Sequence, residues 1–256
     1  MKLISSLFTI PKRGSVPSEN EDFYFQHDAE ISRDHQTVAI ADGASEGFLS
    51  KLWSKILTVS YVNFDRTDLD IRQFTDFCID VYEHQRERYV QRRTEKNNPL
   101  KWFEENLMAK GSFSTLLGVS FSNSTPEGGY WRSISVGDSC LFQIRESVIE
   151  SFPMNDSSAF GNSPELISSN PAYNQDLESK VKVKTGSFLF GDSFYLMTDA
   201  VANWFITQNA EGKRPWAILE ELLETDGLKD YVNHLRGEGS LKNDDVTIAR
   251  VKLAED

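Results

Sequence analysis

The sequence has only two cysteines, Cys78 and Cys140, far apart and in no CxxC arrangement. That excludes a disulfide framework and a thiolate zinc site, and it suits a reducing, cytoplasmic setting. No apolar run approaches the roughly 18 residues of a membrane span. The segment 3–10 is interrupted by Ser5, Ser6 and Thr9 and runs into Pro11, Lys12 and Arg13 with no small-residue cleavage site. It reads as a first β-strand, not a leader peptide. Basic residues are in deficit: 27 Lys+Arg stand against 39 Asp+Glu, a formal charge of −12. A nucleic-acid partner needs the opposite balance, and an anionic membrane surface is equally disfavoured. The four histidines, His27, His35, His84 and His234, show no metal-ligand spacing.

What the chain does have is enough apolar surface for a sizeable core, with 39% hydrophobic residues and 17 Phe among its 256 residues. A single domain over 1–256 is expected. Helical spacing covers 49–64 and 71–93, and Arg86, Arg88, Arg92 and Arg93 read as a solvated face near the second helix's end. Short apolar or alternating runs at 37–41, 113–121, 130–136, 140–145 and 193–198 read as strands, followed by a final helix at 215–225 and a closing strand at 246–253. Gly111-Ser112-Phe113-Ser114 reads as a tight turn into a strand. The five tryptophans, 53, 102, 131, 204 and 216, read as helix-to-sheet packing. The order points to α+β, helices covering antiparallel sheets. The Ser-, Asn- and Pro-rich segment 155–174 reads as a long loop of the kind that forms lids.

The informative acids sit at the ends of apolar strands, where a side chain is near the core yet reachable. They are Glu21-Asp22 before Phe23-Tyr24-Phe25, Asp42-Gly43 after Val38-Ala39-Ile40-Ala41, Asp199 after Phe194-Tyr195-Leu196-Met197-Thr198, and Asp244-Asp245 before Val246-Thr247-Ile248. If the strands are neighbours, the acidic ends converge. Several carboxylates cannot all stay ionised in one pocket without a cation, and hard oxygen ligands select Mg²⁺ or Mn²⁺.

At these residues the chain resembles the metal-dependent serine/threonine protein phosphatases of the PP2C or PPM family. The matching segments are SENEDFYF, VAIADGASEG, GSFSTLLGVSF, ISVGDSCLF, YLMTDAVANWF and KNDDVTIARV, in the family's order over most of the chain. The resemblance implies an αββα sandwich, two antiparallel sheets flanked by helices, with two Mn²⁺ or Mg²⁺ ions at one edge. It assigns Asp42 as the bridging carboxylate, with the Gly43 carbonyl on the second ion and Glu21 and Asp22 beside it. Asp199 and Asp244 become ligands of the first ion, and Asp138 and Asn203 border a weaker third. Asp42, Asp199 and Asp244 would then act catalytically through metal-bound water.

The departures are specific. Pro17 stands where many relatives carry a phosphate-gripping Arg, leaving Lys12, Arg13 and Lys110 as candidate replacements. Ala44 replaces a His of some eukaryotic relatives, Ala200 a glycine, Asn203 an acid and Asp245 an Asn. The expected activity is hydrolysis of phosphoserine and phosphothreonine on proteins by a monomeric bacterial enzyme serving a cognate kinase. The alternatives are a pseudophosphatase that binds a kinase or other partner, and a phosphatase of small phosphate esters.

Overall fold

Strands with apolar residues on both faces must be covered on both sides, and the computed structural model shows how. It describes residues 1–27, 34–64, 69–161 and 163–255. The chain begins with β1 (Lys2–Ile10), β2 (Phe23–Gln26) and β3 (His35–Ala41), then α1 (Ser50–Asn63), α2 (Ile71–Glu95) and α3 (Trp102–Lys110). Next come β4 (Phe113–Ser114), β5 (Leu116–Thr125), β6 (Gly128–Val136), β7 (Cys140–Arg145), β8 (Val148–Phe152) and β9 (Ile167–Ser168). The rest is α4 (Leu177–Lys180), β10 (Lys182–Leu189), β11 (Ser193–Met197), α5 (Asp199–Ala210), α6 (Pro215–Thr225), α7 (Leu228–Glu238) and β12 (Val246–Ala254).

One sheet has the order β1-β12-β11-β7-β8 and the other β10-β6-β5-β3-β2, all antiparallel. Leu141, Phe194, Leu196, Ala249 and Val251 of the first meet Val38, Ile40, Leu117, Val119, Phe121 and Trp131 of the second, forming the inner layer. Their alternates face outward. Phe142, Tyr195, Met197 and Ile248 pack under α5, α6 and α7, while Ala39, Leu116, Ile134 and Val136 pack under α1 and α2. The expected αββα sandwich is therefore the fold. Gln143 is the polar pin of the inner layer: Trp131 Nε1 donates to its Oε1 at 2.8 Å, and its Nε2 donates to Asp192 at 2.7 Å and the Ser187 carbonyl at 2.9 Å. Both ends of this buried amide are therefore satisfied, as a packed interior requires.

Several expectations need correction. The run 113–121 is two strands, because Thr115 turns inward to hold Asp42. The helix at 215–225 is followed by α7, and the segment 155–174 is not structureless: β9 pairs with β4. Trp53, Trp131 and Trp204 pack as expected, whereas Trp102 is 75% exposed. Arg93 is not a free surface cation. It pairs with Glu104 and holds α3 against the end of α2.

Candidate active site

The antiparallel registers bring the acidic strand ends together. Phe23 lies opposite Ala41, Met197 opposite Ile248 and Cys140, and Ile10 opposite Val246. The N-terminal ends of β2, β7 and β12 therefore share one edge of the sandwich with the C-terminal ends of β1, β3, β6 and β11. Asp42, Asp138, Asp199 and Asp244 line one cavity of about 720 Å³ there, together with Gly43, Thr115, Lys110 and Lys242. Phe113, Pro164, Leu166 and Tyr173 give the same cavity an apolar side, so the segment 155–174 borders the site.

Local chemistry fixes each backbone. The Asp42 carbonyl accepts from Thr115 N at 2.9 Å and Ser114 Oγ at 2.8 Å, and Asp42 N donates to Thr115 Oγ1 at 2.9 Å. Gly43 has no room for a side chain: a Cβ would lie 2.9 Å from the Glu21 carbonyl and 3.0 Å from that of Ser50. Asp138 follows Gly137, whose φ of 103° needs glycine. Asp199 opens α5, where a carboxylate is favoured by the helix dipole, and its Oδ1 accepts from Ala200 N at 2.6 Å.

The acids raise one another. Burial, then Asp22, Asp199, Asp244 and Asp138, push the Asp42 carboxyl well above the usual range. Burial and the neighbouring Asp245 and Asp199 lift Asp22 to about 8, against hydrogen bonds from Thr247 and Thr198. Burial and Asp199 lift Asp138 to about 6. Glu21 is raised by burial although Ser45 and Lys12 oppose it. Asp22 Oδ2 accepts from Thr198 Oγ1 at 3.1 Å, but its Oδ1 is buried with no hydrogen-bond partner. A clustered set of hard oxygens, one of them orphaned, suits a hard divalent cation.

Among the described residues, however, no three His, Cys, Asp or Glu side chains are grouped to hold an ion as they stand. Sequence reasoning missed Lys242, which stands among these acids. Its Nζ lies 3.0 Å from Asp199 Oδ2 and 2.8 Å from Asp244 Oδ2. It opens the segment KNDDVTIARV, but its spacing there gives it no role.

The three cations considered for the phosphate are placed differently. Lys12 Nζ donates to Ser45 Oγ at 2.6 Å and lies 3.7 Å from Glu21 Oε2, and Ser45 Oγ donates to Glu21 in turn. Arg13 Nη2 is held by the Asn233 carbonyl at 2.6 Å. Only Lys110 of the three lines the main cavity. The backbone carbonyl of Pro17 accepts from Lys51 Nζ at 3.3 Å. Asn203 lies apart from Asp138, in an adjoining cavity of about 210 Å³ shared with Asp199, Ala200 and Lys242.

No family model and no curated protein matches the sequence. Solved structures do match. The serine/threonine phosphatase PstP/Ppp of Mycobacterium tuberculosis aligns at 15% identity, covering 100% of both chains with a TM-score of 0.55. A serine/threonine phosphatase of Staphylococcus aureus aligns at 15% identity over 100% of this chain and 96% of its own, TM-score 0.57. The catalytic domain of PstP in complex with two manganese ions aligns at 14% identity over 99% of this chain and 100% of its own, TM-score 0.53. The chain has, over its whole described length, the fold of the PP2C-type bacterial serine/threonine phosphatases.

Proposed function

We propose that the chain is a Mn²⁺- or Mg²⁺-dependent hydrolase of phosphoserine and phosphothreonine on proteins, acting as a single domain. The observation that carries this is the convergence of Asp42, Asp138, Asp199 and Asp244, from separate strand ends, on the wall of one cavity. Asp42, Asp199 and Asp244 would hold two cations, with the Gly43 carbonyl, Glu21 and Asp22 on the side of Asp42. Asp138 borders the weaker third position. Bound there, such ions would acidify water so that hydroxide is available near neutral pH to attack phosphorus, and would offset charge on the phosphoryl oxygens.

The chain's own residues do the rest. Ser114 and Thr115 clamp the backbone from which the Asp42 carboxylate projects. Lys110, on the cavity wall, offers the phosphate a point charge in place of the Arg absent at Pro17. Phe113, Pro164, Leu166 and Tyr173 give the substrate's carbon skeleton an apolar side and keep bulk water from it. Ala44 carries no proton, so no side chain there protonates the leaving alkoxide.

The partner in this reading is a phosphorylated protein, its kinase unnamed, and the chain is a monomer in the cytoplasm. Two free, buried cysteines support that location. Among the described residues no helix is long and apolar enough to cross a membrane. Hydrolysis of a phosphothreonine peptide with Mn²⁺, abolished by EDTA and by Asp42→Asn, tests the proposal. Turnover that persists after metal removal defeats it. The pseudophosphatase reading, motivated by Pro17 and Asn203, gains from the structure the ammonium of Lys242 across Asp199 and Asp244. Absence of turnover on both the phosphopeptide and p-nitrophenyl phosphate would select it, and turnover of the small ester alone would select a small-ester phosphatase.

A further inference from the structure

Lys242 stands where the two cavities meet and lines both. Its ammonium touches Asp199 and Asp244 together, at 3.0 and 2.8 Å. Its side chain is 55% exposed, while that of Asp199 is 14% exposed. The lysine is thus nearer to solvent than either carboxylate, since the Asp244 side chain is 30% exposed. The side of Asp42 is different. Among the described residues neither Asp42 nor Asp22 has an ion-pair partner, and Asp22 Oδ1 is buried and unpaired.

We propose that Lys242 is a tethered cation that occupies the position between Asp199 and Asp244 and competes with a divalent ion for it. The chain takes one divalent ion readily on the side of Asp42 and a second only when Lys242 swings out. This rests on the reading of the acidic cluster as a metal site. The physical basis is charge balance. An ammonium between two carboxylates compensates them in the metal-free chain, and an arriving cation must break both contacts before it gains its own. Lys242 thereby sets how many ions are bound at a given metal concentration, and so the concentration at which the site is complete.

The test is calorimetric titration of the full chain with Mn²⁺, with free ion counted by electron paramagnetic resonance, on the natural chain, Lys242→Met and Lys242→Arg. The natural chain should bind its second ion at least about tenfold more weakly than its first, and Lys242→Met should tighten the second step about tenfold. Lys242→Arg, which keeps the charge, should retain the natural split. Metal-free Lys242→Met should melt lower than the natural chain and gain more from Mn²⁺, and circular dichroism confirms that each variant is folded. Identical stoichiometry and affinities in the natural chain and Lys242→Met would overturn the proposal and leave the metal reading intact. If no form binds Mn²⁺, the metal reading falls and the proposal with it.

Discussion

Asp245 Oδ2 accepts the backbone N–H of Glu21 at 2.7 Å, and its other oxygen accepts that of Lys12 at 2.8 Å. One buried carboxylate thus ties the segment after β1 and the approach to β2 to the turn before β12. An Asn, found here in many relatives of the family it resembles, has one acceptor and would turn an NH₂ against the second N–H. Asp245→Asn should therefore destabilise the protein by about 1–3 kcal/mol, and Asp245→Ala by at least as much. Urea denaturation measures both, and an unchanged midpoint for Asp245→Asn would show that the bridge contributes nothing.

Asp42→Asn should separate stability from activity. The substitution removes the carboxyl that four other acids repel, so the metal-free variant should melt higher than the natural chain, by about 2–4 °C per kcal/mol relieved. Phosphopeptide turnover should vanish in the same variant. A metal-free melting point that drops would mean the amide disturbs more than the charge did.

The raised carboxyls set a pH slope. Asp22 and Asp138 titrate near 8 and 6 in the folded chain, whereas an unfolded Asp titrates near about 3.9. Between those limits the native state holds more protons than the unfolded one. Stability in EDTA should then fall as pH rises from about 4 to 8 and be level below that window. Melting curves at pH 5 and pH 8 decide it: the pH 5 value should be higher in EDTA, and saturating Mn²⁺ should remove or reverse the difference. Equal values in EDTA would sink the claim.

Gly43→Ala should disturb the site through backbone alone. Its new methyl meets two carbonyl oxygens that belong to a strand approach and a helix, neither able to rotate aside. A cost of about 1–3 kcal/mol is expected, with Mn²⁺ affinity reduced because Glu21 must move. Thermal melts and metal titration on one preparation test both parts.

The acids at strand ends were legible because each follows or precedes an apolar run, and the fold brings Asp42, Asp199 and Asp244 to one cavity wall while Asp22, before β2, lines a separate cavity with Pro17 and Thr247. Other elements were hidden for physical reasons. Ala200, Val201, Ala202, Trp204, Phe205 and Ile206 are all buried, leaving α5 only the narrow polar stripe of Asp199, Asn203 and Thr207 in a mostly apolar run that carries little helical period. In α7 the residues Leu228, Val232 and Leu235 do have helical spacing, but the remaining positions are largely polar. β10 is an edge strand with Val183 and Leu189 exposed, interrupted by Gly186, over which the Trp131 indole lies. Lys242 could not be found from sequence, because its role comes from a meeting of Asp199 and Asp244 that only the fold creates.

The pairing of β1 with β12, from Lys2 opposite Ala254 to Ile10 opposite Val246, has a kinetic consequence. Strand β12 lies between β1 and β11, so the first sheet is split into separate pieces until residues 246–254 arrive. Contacts of such sequence separation close late and slowly. During synthesis the acids at 21, 22, 42, 138 and 199 are therefore present without Asp244, Asp245 or Lys242. If these acids hold cations as proposed, the set that would hold them is complete only once β12 has paired.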